Sequence, residues 1–155
     1  LKMKIDISDQ TKKRFEFDTK LGDDDLPVSG ELSGTPGPDG LTIAGTLRRL
    51  PEQKYELVFH LGGTLIYPCS RCLDPVETQA EYDFEDIVES GAETEFDLLP
   101  FIEDCLFINE PSKILCREDC RGLCQHCGAN LNYETCSCDA EAEIDPRMEA
   151  LKSLL

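Results

Sequence analysis

The chain has no tryptophan, two histidines, two methionines and only 15 lysines and arginines among its 155 residues. Each shortage excludes something. Aromatic residues make up 7% of the chain, too few to line a large ligand pocket, so no small-molecule substrate is expected. The 15 basic residues face 32 acidic ones, for a net charge of -17. A uniformly acidic surface repels phosphate backbones, which excludes broad nucleic-acid binding unless the basic residues cluster locally. There is no glycine-rich phosphate loop and no histidine–acid–nucleophile arrangement, so no enzyme is expected. No stretch approaches the roughly 20 apolar residues of a membrane span, and no membrane partner is expected. The opening residues, LKMKIDIS, contain no apolar core of signal-peptide type, and a cytoplasmic location is the expectation.

Cysteine, by contrast, is abundant. Six of the nine cysteines fall between Cys116 and Cys138, in CREDCRGLCQHCGANLNYETCSC. In a reducing compartment such a cluster is better explained by metal than by disulfides. The strongest local signal is Cys124-x-x-Cys127, followed at once by Gly128, then eight residues on by Cys136-x-Cys138. Two closely spaced thiol pairs joined by a short hairpin fill a tetrahedral four-sulfur shell, and zinc is the default occupant. Two further pairs remain, Cys69-x-x-Cys72 and Cys116-x-x-x-Cys120. They make either a second four-sulfur site or part of one mixed site, such as Cys69, Cys72, Cys124 and Cys127, tying tail to sheet. His126 sits between two knuckle thiols and is read as pointing to solvent. Cys69-Ser-Arg-Cys72 lacks the strand–helix frame of a redox pair.

Alternating apolar positions predict strands at residues 2–7, 12–18, 28–33, 41–50, 55–67 and 76–84. The segment TPGPDG at 35–40 reads as a turn, Gly45 as a bulge or close backbone approach, and Gly62-Gly63 as a bulge in a long strand. Between Asp74 and Glu110 there are thirteen acidic residues and no basic one, and 85–95 reads as an exposed acidic loop. Asp97 is placed to cap a helix running to about Asn109, with Leu98, Phe101, Ile102, Cys105 and Ile108 as its apolar stripe. Cys105 therefore reads as a buried thiol, not a ligand. Asp145-Pro146 opens a last short helix through Leu155.

The expected fold class is α+β: a mainly antiparallel, curled or barrel-like sheet, a short C-terminal zinc-thiolate module and two short helices. Residues 1–110 are expected to form the β-rich domain ending in a helix, and residues 111–155 a cysteine-rich tail packed on it. Arg71, Lys113, Arg117 and Arg121 have two readings. They offset the negative charge of zinc-bound thiolates, or they form the positive patch that meets a partner.

Three motifs carry a resemblance to the YceD family, also called the DUF177 family. They are YPCSRCLDPVE at 67–77, CREDCRGLCQHCGANLN at 116–132, and the tail CSC followed by DPRMEALKSLL. The resemblance implies a non-enzymatic factor in 23S rRNA accumulation and large-subunit assembly, in contact with a ribosomal protein or the 23S rRNA precursor. It also makes Arg71 a better candidate for that contact than the tail cations. The competing expectation is a purely structural or metal-handling zinc protein with no direct role on RNA.

Overall fold

The computed structural model describes residues 3–22, 25, 32–89, 91 and 94–138. Four strands form one antiparallel meander in the order β2 (Arg14–Leu21), β3 (Thr35–Arg49), β4 (Lys54–Pro68) and β5 (Pro75–Glu89). A separate two-stranded ladder pairs β1 (Lys4–Asp6) with β6 (Glu95–Asp97), and one helix, α1 (Leu99–Ile108), follows.

The side-chain period of two decides which face of the meander is buried. Leu57, Phe59, Leu61, Leu65 and Tyr67 of β4 all turn inward, as do Leu41, Ile43 and Leu47 of β3 and Phe15 and Leu21 of β2. Gly45 occupies an inward position because the neighbouring strand comes too close for anything larger. A Cβ there would collide with the Val58 carbonyl and the Phe59 backbone. Over this face lie α1 and the β1–β6 ladder. Phe96 stacks on Phe101 at 5.6 Å, Phe84 stacks on Phe59 at 4.8 Å, and the Leu98 amide donates to the Met3 carbonyl. The opposite face is open to solvent.

The sheet does not close into a barrel: β2 and β5 end the order unpaired with each other. Closure is unnecessary because α1 and the small ladder cover the apolar face. The strand expected at 28–33 lies outside the described residues, apart from Leu32 and Ser33, which are not in a strand. TPGPDG does not reverse the chain; it opens β3 and carries the register shift between Pro36 and Leu41. The irregularity is therefore on β3, opposite Thr64, and β4 itself pairs continuously with β5. The expected acidic loop is also shorter, since β5 runs on to Glu89 and Glu95 already belongs to β6.

The helix begins one residue later than a cap at Asp97 requires, although the Asp97 carboxylate accepts the Leu99 amide at 3.1 Å. Its buried side is Ile102, Cys105 and Leu106, continuing from Leu98; Ile108, placed in the stripe from sequence, is 74% exposed. The helix expected at 145–155 lies outside the described residues.

Candidate metal centre

The hairpin between β4 and β5 supplies the first two sulfurs. Pro68 pairs with Pro75, and the Cys69 amide donates to the Asp74 carbonyl at 2.8 Å, so the intervening residues form a tight loop. Within it the Leu73 amide donates to the Cys69 carbonyl at 3.0 Å. The second knuckle repeats this closure: the Gly128 amide donates to the Cys124 carbonyl at 2.9 Å. Gly128 has φ 76° and Leu73 φ 64°, so the first knuckle places a branched side chain in the left-handed region that glycine occupies in the second.

The tail reaches this loop by backbone pairing. The Ser70 amide donates to the Ile114 carbonyl at 2.8 Å, and the Ile114 amide donates to Ser70 Oγ at 3.1 Å. That delivers Cys116, and a turn closed by the Cys120 amide on the Arg117 carbonyl brings Cys120 back toward it. Beyond it, the Leu123 amide donates to the Arg71 carbonyl at 3.2 Å, and the Leu131 amide to the Gly122 carbonyl at 2.9 Å. A bridge between Leu123 and Asn130 completes the small hairpin that carries the second knuckle.

The eight sulfurs gather in two groups, Cys69, Cys72, Cys116 and Cys120, and Cys124, Cys127, Cys136 and Cys138, with each group's sulfurs within 4.8 Å of one another. The two-site division is thus the one the fold assembles, and not the mixed set of Cys69, Cys72, Cys124 and Cys127. Sulfurs tetrahedrally arranged at about 2.3 Å from an ion lie about 3.8 Å apart. Here Cys69 and Cys120 are 3.8 Å apart, Cys72 and Cys116 3.5 Å, Cys127 and Cys136 3.4 Å, and Cys124 and Cys136 3.3 Å. These separations suit a shared ion and are far too long for disulfides of about 2.05 Å. Cys105 is buried in the main core, in neither group.

Sulfur charge is supported from outside each shell. The Cys116 amide donates to Cys69 Sγ at 3.4 Å, Asn132 Nδ2 to Cys120 Sγ at 3.3 Å, the His126 amide to Cys124 Sγ at 3.4 Å and the Cys138 amide to Cys136 Sγ at 3.2 Å. Burial pushes the Cys69 thiol up, but the amides of Arg71, Cys72 and Cys116 prevail and leave it down at about 6. The amides of Cys127 and His126 hold Cys124 down at about 6 as well. Burial raises Cys72, and the neighbouring Cys136 and Cys127 sulfurs push Cys138 up to about 12. In the first group Cys69 and Cys120 are lowered while Cys72 and Cys116 are raised, and in the second Cys124 is lowered while Cys136 and Cys138 are raised. Full ionisation of four adjacent thiols needs a cation among them.

The four cations singled out from sequence are placed differently from one another. Arg71 Nη1 donates to the Cys120 carbonyl at 2.8 Å, so this side chain braces the joint between hairpin and tail. Arg117 lies 5.4 Å over the Tyr133 ring. Lys113 and Arg121 are exposed. His126 is exposed and outside both sulfur groups.

Sequence reasoning missed the polar residues that hold the two halves together. Asp74 accepts Tyr133 Oη at 3.0 Å and Asn130 Nδ2 at 3.3 Å. Asn132 Oδ1 accepts the Arg121 amide at 2.8 Å while its Nδ2 reaches Cys120. The only signal was their place directly beside the cysteine motifs.

An open antiparallel sheet, covered by a helix and joined at one end to two four-cysteine groups that could each hold a metal ion, defines a small α+β protein. Residues 88–155, a little under half of the chain, match the family model described as large ribosomal RNA subunit accumulation protein YceD. Over that segment the resemblance read from the second and third motifs is borne out; the first motif, at 67–77, and most of the sheet lie before it. No curated protein and no solved structure matches the chain. Among the described residues no helix is long and apolar enough to cross a membrane.

Proposed function

We propose that the chain is a non-enzymatic accessory factor in 23S rRNA accumulation and large ribosomal subunit assembly, acting in the cytoplasm with zinc in both cysteine groups. The match of residues 88–155 to the YceD family carries this reading. Four sulfur donors in each group, with no oxygen donor in either among the described residues, suit zinc over harder cations. Charge favours a basic ribosomal protein as the first partner and the 23S rRNA precursor as the second. The net charge of -17 opposes phosphate, and the open face of the sheet adds Glu16, Asp18, Glu81, Asp83 and Glu85. Arg71 is engaged with the Cys120 carbonyl, so Lys113 and Arg121 are the freer cations for any phosphate contact.

The test is a binding comparison of the zinc-loaded chain at near-physiological salt. One titration uses a purified basic protein of the large subunit and the other a 23S rRNA fragment. Tighter binding to the protein is expected, and binding to RNA alone would overturn the order of partners.

A second reading, a structural or metal-handling zinc protein with no role on RNA, is favoured by the different exposure of the two cysteine groups. Mild chelation separates its two forms. A structural ion leaves only with unfolding, whereas a donated one leaves a folded sheet behind.

A further inference from the structure

The two cysteine groups use the same ligands in unlike settings. In the first, Cys69, Cys72 and Cys120 are at most 4% exposed and form a small apolar cluster with Val76, Leu115 and Leu123. Its ligands come from two distant stretches, 44 and 51 residues apart for the pairs Cys72–Cys116 and Cys69–Cys120. Opening this site means parting the β4–β5 hairpin from the tail, breaking the Ser70–Ile114 and Arg71–Cys120 hydrogen bonds and exposing the cluster to water. Such an opening is a sub-global event.

In the second group all four cysteines come from one contiguous stretch, Cys124 to Cys138. Cys127 and Cys138 are exposed, and Cys124 and Cys136 are half-buried. A cleft of about 480 Å³ runs along it, lined by Arg121, Leu123, Gln125, His126 and Leu131 together with Cys124, Cys136 and Cys138. No apolar cluster like that around Cys120 encloses it among the described residues. A donor atom from solution can approach these sulfurs while every hydrogen bond of the first site stays in place.

We propose that the second group is an exchangeable metal site, from which a divalent ion passes to a thiol-bearing acceptor through the cleft, while the first group is a permanent clasp. The two exposed sulfurs, Cys127 and Cys138, are displaced first, Cys138 from within the cleft. As the ion leaves, the acceptor's sulfurs replace those of this group, the protons the acceptor gives up pass to the freed sulfurs or to water, and no electron changes hands. The freed Cys127 and Cys138 thiols are then open to alkylation by a maleimide. Exchange is local because the Leu123 amide remains bonded to the Arg71 carbonyl, anchoring the base of the hairpin. This assignment deepens the metal-handling reading, rests on both groups holding zinc, and is independent of any ribosomal contact.

The experiment begins with elemental analysis of the full chain, so that failure of metal binding is distinguished from failure of exchange. The zinc-loaded protein is then mixed with a chromogenic chelator and N-ethylmaleimide. Released ion is followed by absorbance, adducts by peptide mass spectrometry and the sheet by circular dichroism. One equivalent is expected to leave at least ten-fold faster than the other, with first adducts on Cys127 and its group and an unchanged sheet signal. Cys127→Ser is expected to abolish the fast equivalent and keep the slow one. Release of both equivalents together, first adducts on Cys69 or Cys116, or a fast phase that survives in Cys127→Ser would overturn the proposal. So would a native chain that binds only one ion.

Discussion

His60 stands on the open face of the sheet with its Nδ1 2.8 Å from Asp83 and its Nε2 2.8 Å from Glu81. Two carboxylates can both accept from one imidazole only when it is protonated on both nitrogens. The hydrogen bonds to Asp83 and then to Glu81 raise the His60 pKa above the usual 6.5. A raised folded-state value means the stabilisation is complete below the unfolded pKa and fades as pH rises through the folded one. An NMR titration of the imidazole should therefore give a midpoint above 6.5, and Asp83→Asn should bring it down. A midpoint unchanged by that substitution would show that the pair is not formed in solution. The group Cys124, Cys127, Cys136 and Cys138 was legible from spacing, whereas spacing left a second group or a mixed set open for Cys69, Cys72, Cys116 and Cys120, which only the fold brings together. Asp74, Asn130 and Asn132 were not. Their partners lie across the hairpin–tail joint, and a polar residue between cysteines carries no mark of which distant group it meets.

The strands were read well where burial imposes a strict alternation, as in β4, and poorly where turn residues serve another purpose. Pro36 and Pro38 cannot donate to a ladder, and β3 uses them at its start, where the register is shifting anyway. The same chemistry that marks a reversal therefore marks a bulge here. The true reversal, between β3 and β4, carries no glycine. Glu52 and Gln53 occupy its centre with φ 61° and 57°, and the Lys54 amide closes it on the Pro51 carbonyl at 3.3 Å. Both residues sit in the conformation that Asn-Gly adopts with least strain in a two-residue hairpin loop. Changing Glu52→Asn together with Gln53→Gly should stabilise the protein by about 1 kcal/mol, read as a higher unfolding midpoint in urea at constant slope. A lower midpoint would mean that the native side chains make contacts that outweigh the strain.

With zinc in both cysteine groups, as proposed, the fold of this acidic chain becomes a function of metal and pH together. Each thiolate must lose a proton to bind, so acidification competes with the ion for every ligand. Metal-derived stability is expected to be full near neutral pH and to fall as pH drops, steeply because several protons enter per ion. A pH series of thermal unfolding, with and without chelator, measures it. The two curves should converge in acid, where the metal has already been lost. Curves that stay apart at low pH would place the chelator effect elsewhere than on the ions. The covering of the sheet was the least legible feature of the molecule. Alternation along the strands says that one face is apolar but not whether a facing sheet, barrel closure or a helix hides it. Here α1 and the β1–β6 ladder do so.

The spacing of the first site also sets a timetable for synthesis. Cys69 and Cys72 lie at a hairpin tip, and their partners Cys120 and Cys116 come 51 and 44 residues later. At about 5–20 residues per second, the hairpin waits for roughly 2–10 s with its thiols incomplete, while the second group comes from one contiguous stretch, Cys124 to Cys138. The knuckle that ends as the best-protected pair of sulfurs in the native protein is thus the pair left waiting longest as the chain emerges. Oxidants met during translation would find Cys69 and Cys72 before any met afterwards could.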